Sequence, residues 1–211
     1  MTLFEMFSDK DNPYGNALLN WGENSADEIL IYAWNYRTAA MNLVAFRESQ
    51  KISTLDYGAL PILFLYRHAF ELYLKALIYK AAAISINEKD ISNALPKLWR
   101  EHSLVRLVKI CGPVLKPSNQ HPLTRTGELE KEVTDLAKVI DKVDSGSYAF
   151  RYPVTSKGDA SLPSHFFTNI FKFSDVVERV FDNLAQFCGS VEDDQQETYS
   201  QIKLNLHEIA R

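Results

Sequence analysis

Apolar positions recur along the chain with helical spacing. Between Ser25 and Glu48, the residues Ile29, Leu30, Tyr32, Ala33, Tyr36, Ala40, Leu43, Val44 and Phe46 follow the roughly 3.6-residue period of an amphipathic helix. Ser25, Asp27 and Glu28 supply a start signal, with acids at the positive end of the helix dipole. Ahead of them, Asn12, Pro13, Gly15 and Gly22 predict an irregular entry segment. A second helix is predicted from Leu60 to Ala83, with Pro61 in its first turn, where the missing N–H has no helical partner anyway. This helix is apolar on nearly every face, which places it in the middle of a bundle, touched from several sides.

The polar stretch Ser85 to Asn93 reads as a connector, followed by a short turn at Leu95 to Trp99 and a third helix from Ser103 to Leu115 whose end is weakened by Gly112 and Pro113. Pro117, Ser118, Asn119 and Pro122 predict a loop. Leu129, Val133, Leu136, Ala137, Ile140 and Val143 then form the stripe of a fourth helix with a charged outer face. From Ser145 to Pro163 the breakers Gly146, Pro153, Gly158 and Pro163 leave room only for a loop or a short extended segment. A fifth helix is predicted from Ser164 to Phe187, burying Phe166, Phe167, Ile170, Phe173, Val176, Val177, Val180, Phe181, Leu184 and Phe187, with Gly189 ending it. After the acids Glu192, Asp193 and Asp194, the segment holding Ile202, Leu204, Leu206 and Ile209 suits helix or strand. No repeat and no long strand alternation is present. The pattern therefore predicts an all-α, irregular bundle of about five helices: one domain over 1–211, with its core at about 25–187 and a C-terminal extension at 190–211.

Composition changes this picture little: 211 residues, 46% hydrophobic and 24% charged, suit one folded soluble domain. A net charge of -4 removes a bulk electrostatic argument for nucleic acid, while a local basic groove stays compatible with it. The apolar run from Leu60 to Ile78 is interrupted by Arg67, His68, Glu71 and Lys75, which argues against a membrane span. Met1 to Asp11 carries no secretory pattern, so a cytoplasmic location is expected. Cys111 and Cys188 would stay reduced there and serve as small buried hydrophobes. There is no Gly-rich phosphate loop, no ligand pair at zinc spacing and no nucleophile elbow, so no cofactor and no metal is predicted. Asp141 and Asp144 read as part of a solvated acidic face.

The chemistry-bearing residues concentrate on the second helix. Arg67, Glu71 and Lys75 are spaced four apart and share one face, with His68 on its flank, so Glu71 is within reach of all three bases. Ionisable groups in so apolar a helix need partners, a cleft or an interface. The readings are a solvated face with ion pairs, a satisfied buried network that fixes helix register, or a functional cleft. His102, in Trp99-Arg100-Glu101-His102-Ser103-Leu104, falls at a helix start, where a capping or surface role competes with a functional one. In Ser147-Tyr148-Ala149-Phe150-Arg151-Tyr152-Pro153 an arginine lies between aromatics, suited to stacking and to forking a carboxylate or phosphate, with Glu71 as an internal partner.

Arg67-His68-x-x-Glu71-x-x-x-Lys75 in an apolar helix, His102-Ser103-Leu104 opening the next helix, and Ser147-x-x-Phe150-Arg151-Tyr152-Pro153 after the fourth together resemble the HEPN-type helical domains of prokaryotes, over about Ser25 to Phe187. The resemblance implies a helical bundle that forms a homodimer. It also implies a metal-independent ribonuclease or toxin-antitoxin component that binds or cleaves RNA, or binds nucleotide, in stress response or phage defence. The family signature, an arginine followed after four to six residues by a histidine, is absent. None of His68, His102, His121, His165 and His207 has an arginine at that distance, and only Lys97 before His102 and Lys116 before His121 imitate the spacing.

Two readings follow. In the first, Arg67, His68 and His102 are catalytic and Glu71, Lys75, Arg151 and Tyr152 bind, with a histidine as general base or acid and arginines holding phosphate. In the second, the chain is a non-catalytic structural or regulatory module that works by pairing with itself or with a protein partner. The sequence leaves open whether the chain is an enzyme.

Overall fold

The computed structural model describes residues 28–51, 56–85, 95–116 and 127–190, together with Ile202 and Asn205. Helix α1 spans Ile29–Ser49, α2 Leu60–Ser85 behind a 3-10 turn at Asp56–Ala59, α3 Leu104–Leu115, α4 Glu128–Asp144 and α5 Ile170–Ser190; residues 95–100 form a further short helical stretch. The only β-type pairing among the described residues is an isolated bridge between Val154 and Ala160. The chain is thus the all-α irregular bundle that its periodicity predicts. No helix among the described residues is long and apolar enough to cross a membrane. The expectations for the entry segment and the Ser25 start signal, for the connector at 86–93, for the Pro117 to Pro122 loop, and for Glu192 to Asp194, Leu204, Leu206 and Ile209 lie outside the described residues, as do His121 and His207.

Helix α2 occupies the centre and is packed by α1, α3 and α5. Its Tyr66, Phe70 and Tyr73 surround Phe181 of α5 at ring-centroid distances of 6.2, 5.6 and 5.2 Å. Each such ring, once fully buried, contributes about 1.5–3 kcal/mol of transfer free energy, which makes this seam a main source of cohesion. Helix α1 lays Ile29, Ala33, Ala40 and Val44 against α2, and the same buried face carries Arg37. Arg37 donates through Nε and Nη2 to Glu178 Oε2 at 2.7 and 2.5 Å and also bonds Asp182, tying α1 to α5.

The structure departs from the sequence pattern in several places, one of them Val176, which was expected on the buried side of the fifth helix and is 44% exposed. Helix α3 runs through Gly112 and Pro113 to Leu115 instead of weakening there. Pro113 lacks the N–H that would serve Lys109 O, and Asn205 Nδ2 donates to that carbonyl at 3.4 Å instead. Helix α5 begins at Ile170, not Ser164, because Asn169 Oδ1 accepts from the main-chain N–H groups of Phe171 and Lys172 at 3.1 and 3.0 Å and caps the first turn. Phe166 and Phe167 therefore fall outside the helix, 37% and 87% exposed, rather than in the core. Gly189 lies inside α5, which extends to Ser190. In the tail, Ile202 and Asn205 are helical, and Ile202 belongs to the core. Cys111 and Cys188 are free, buried thiols, and burial pushes both well above the usual thiol range.

Removing the cap at Asn169 should cost about 1 kcal/mol in urea unfolding for Asn169→Ala, with Asn169→Asp close to the parent. An unchanged midpoint for the alanine variant would mean that the helix start is set by something else.

Candidate functional site

The polar stripe of α2 is a sealed network. Arg67, Glu71 and Lys75 are only 0%, 2% and 3% exposed. Arg67 Nη1 donates to Glu71 Oε2 at 2.8 Å and Lys75 Nζ to Glu71 Oε1 at 2.7 Å, the two pairs set by helical i to i+4 spacing. The remaining donors turn to other segments. Arg67 Nη2 reaches His102 O at 2.6 Å, Arg67 Nε reaches Asp144 O at 3.0 Å, and Lys75 Nζ reaches Trp99 O at 3.1 Å. Trp99 lies at the end of the short helical stretch 95–100, where helix carbonyls lack intrahelical donors and carry partial negative charge, so an ammonium suits the position.

Asp144, the last residue of α4, completes the network at 2% exposure. Its Oδ1 accepts from the N–H groups of Tyr148 and Ala149 at 2.5 and 2.8 Å, while Oδ2 sits 3.2 Å from Arg67 Nε. Oδ2 has no hydrogen bond of its own, because the single Nε proton is directed to the main-chain oxygen of the same residue. Asp141, one turn earlier, accepts from Ser103 Oγ and from the N–H groups of Leu104 and Val105 at 2.7, 3.1 and 2.9 Å. A carboxylate is thus placed at the positive N-terminus of α3, which Ser103 caps by accepting from Arg106 N. The expectation of a solvated acidic face at Asp141 and Asp144 is overturned: both are anchors between elements. The available signal was position, because acids in the last turn of a helix oppose its dipole unless N–H donors or a cation meet them. Arg37 was missed as well, although it interrupts the buried spacing Ala33, Ala40 and Val44.

Two further corrections concern Glu71. It meets Arg67 and Lys75 as expected, but its third partner is His102, whose Nδ1 lies 2.9 Å from Oε1, and not His68. The His68 ring turns to the flank, edge-on to Tyr36 at 4.4 Å and stacked on Phe64 at 5.7 Å. Arg151 does not pair with Glu71 either. It lies beside α2 with its guanidinium over the rings of Phe64 and Tyr152 at 5.6 and 5.4 Å, and its Nε donates to Ser147 O at 2.6 Å. Tyr152 in turn packs on Tyr148 at 4.5 Å. Of the residues singled out from sequence, Arg67, Glu71 and Lys75 are thus enclosed. His102 stands at the edge of the network with its side chain 49% exposed, and Arg151 and Tyr152 are exposed on the turn that Asp144 holds.

Electrostatics fix the protonation pattern. Burial works to raise the Glu71 carboxyl, but the adjoining Lys75 and Arg67 outweigh it and hold the group below the usual carboxylate range. Ionised Glu71 can only accept, so His102 carries its proton on Nδ1 and keeps the Nε2 lone pair free in its neutral form. Two cations, Arg67 and Lys75, then face two carboxylates, Glu71 and Asp144, and the enclosed network is neutral overall. His68 is lowered from the ordinary histidine value, first by burial and further by Arg67, Lys75 and Arg151, with Glu71 opposing.

No family model, no curated protein and no solved structure matches the chain.

Removing one partner of a buried pair leaves an uncompensated charge, so Glu71→Gln should lower unfolding free energy by about 3–5 kcal/mol in urea titration. A loss below about 1 kcal/mol would place the stripe among solvated ion pairs. His68 generates a pH dependence. With a folded value below the ordinary 6.5, the unfolded chain binds more protons, so this contribution is complete above pH 6.5 and is lost as pH falls through the folded value. Replacing His68 with Phe, which keeps a ring between Tyr36 and Phe64, should flatten the decline of the urea midpoint between about pH 7 and 5. Identical slopes for parent and variant would remove His68 from the account.

Proposed function

We propose that this chain is a HEPN-like protein that binds and cleaves RNA without a metal, in a stress-response or phage-defence setting within the cytoplasm. The observation that carries the reading is the pairing of buried, ionised Glu71 with Nδ1 of half-exposed His102. A carboxylate behind an imidazole fixes its tautomer and orientation and stabilises the imidazolium formed when Nε2 takes a proton, the division of labour found in hydrolytic triads. In RNA cleavage the 2′-oxygen gives its proton to His102 Nε2 and bonds to phosphorus. The bond from phosphorus to the 5′-oxygen breaks, that oxygen takes a proton from water, and the hydroxide left behind takes back the proton held on His102 Nε2. The products are a 2′,3′-cyclic phosphate and a 5′-hydroxyl.

The roles differ from those suggested by the sequence. Arg67 has no exposed surface and each of its three nitrogens already donates inside the fold, so it positions His102 through the main chain instead of holding phosphate. Lys75 and Glu71 support the same arrangement. In this reading Arg151, carried on the turn that Arg67 and Asp144 hold in place, supplies the cation for the phosphorane. His68 is neutral near pH 7 and acts as a neutral hydrogen-bonding group at the flank. With a net charge of -4, binding depends on these local groups and not on the overall field.

A second reading, a structural or regulatory module acting through a homodimer or a protein partner, is favoured by the sealing of Arg67, Glu71 and Lys75. The two separate at His102, whose exposed ring contributes little to the core. In EDTA, the parent should convert a labelled RNA to fragments ending in cyclic phosphate. His102→Ala should lose at least about a hundredfold in rate with its melting temperature unchanged. Equal cleavage by both, or none by the parent, would leave the modular reading.

A further inference from the structure

The turn after α4 is built to hold its side chains still. Ser147 takes the left-handed conformation (φ 58), 4% exposed, and the two following N–H groups are gripped by Asp144. A non-glycine residue pays strain in that region, and the surrounding bonds hold it there. Ser147 O in turn anchors Arg151 through Nε, and the guanidinium carbon lies 5.6 and 5.4 Å from the ring centroids of Phe64 and Tyr152. The Nη edge of Arg151 meets no acceptor among the described residues. Beside it, Tyr148 and Tyr152 pack against each other with ring centroids 4.5 Å apart and planes tilted by 33°, and they remain 38% and 46% exposed. The row continues through Phe64 and His68 to Tyr36, all linked by ring contacts.

From this geometry we infer that Tyr148, Tyr152 and Arg151 form a binding site for one nucleotide unit, with its base stacked on the tyrosine pair and its phosphate forked by the Arg151 Nη edge. A fixed guanidinium with an open edge selects a planar or tetrahedral oxyanion, and the adjoining exposed π surface selects a flat ring attached to that anion. A nucleotide has both groups at that spacing, and a preset site loses little freedom on binding it. The inference rests on the RNA reading for its biological sense but needs no chemistry at His102. The same site chemistry accommodates a free nucleotide or one unit of an unpaired strand; a base locked inside a duplex cannot reach the rings.

The test is fluorescence anisotropy with a labelled, unpaired oligoribonucleotide at fixed ionic strength, using the His102→Ala chain as background so that binding is read apart from cleavage. Tyr152→Leu should weaken binding about ten- to a hundredfold, Tyr152→Phe should retain it, and Arg151→Lys should weaken it about tenfold because an ammonium cannot fork. Competition with AMP identifies the source: displacement by AMP at concentrations similar to those of unlabelled strand assigns a free nucleotide, and displacement by strand alone assigns an unpaired RNA. Unchanged binding in both Tyr152→Leu and Arg151→Lys, or a duplex that binds as tightly as the single strand, would overturn the inference. Loss of cleavage in the parent with binding intact would reject only the role of His102.

Discussion

A guanidinium without exposed surface must find an acceptor for each direction in which it donates, and Arg67 meets that demand by recruiting three separate parts of the chain. Glu71 comes from its own helix, His102 O from the approach to α3, and Asp144 O from the end of α4. The bundle is irregular and its connections are long, so contacts of this kind do what short loops do in simpler bundles: they fix where each segment crosses the central helix. Moving any one acceptor by an ångström would leave a charged donor unsatisfied in an apolar interior, so the alternatives are few and costly.

With two positive and two negative charges balanced internally, the enclosed network presents no net charge, and the side chains left exposed around it are those of His102, Arg151, Tyr148 and Tyr152. The second buried arginine, Arg37, obeys the same logic on the opposite seam, where α5 supplies both carboxylates and the rings of Trp34 and Phe181 flank the cation. The molecule thus uses one enclosed arginine to join α1 with α5 and another to join α2 with α4 and the approach to α3.

Much of this architecture can be read from periodicity, and the reasons for the rest are specific. Helix α2 announces its central place because apolar residues such as Ile62, Tyr66, Phe70 and Leu77 leave only one narrow polar stripe, and the need for partners at Arg67 and Lys75 follows from the same fact. The partners themselves were not legible, since Trp99 O, His102 O and Asp144 O are main-chain atoms that every residue possesses. The acids Asp141 and Asp144 share the spacing of a wet helical face, and only the third dimension distinguishes a solvated carboxylate from one that grips another segment. Phe166 and Phe167 looked like the first turn of α5 because hydrophobic spacing does not register a capping side chain three residues further on. The exposed His102 ring and its link to Glu71 span 31 residues, a distance at which helical spacing carries no information.

The long irregular stretch from Ser145 to Asn169 closes with Phe167 at 87% exposure, the most solvent-accessible large apolar side chain named above. An aromatic-specific protease would meet its preferred residue there, exposed and outside the helices. A single nick at that point would divide the chain into an N-terminal piece carrying α1 to α4 and a C-terminal piece carrying α5. The Arg37 ion pairs and the rings around Phe181 would still clasp the two, so the cut chain can persist as a non-covalent pair of fragments.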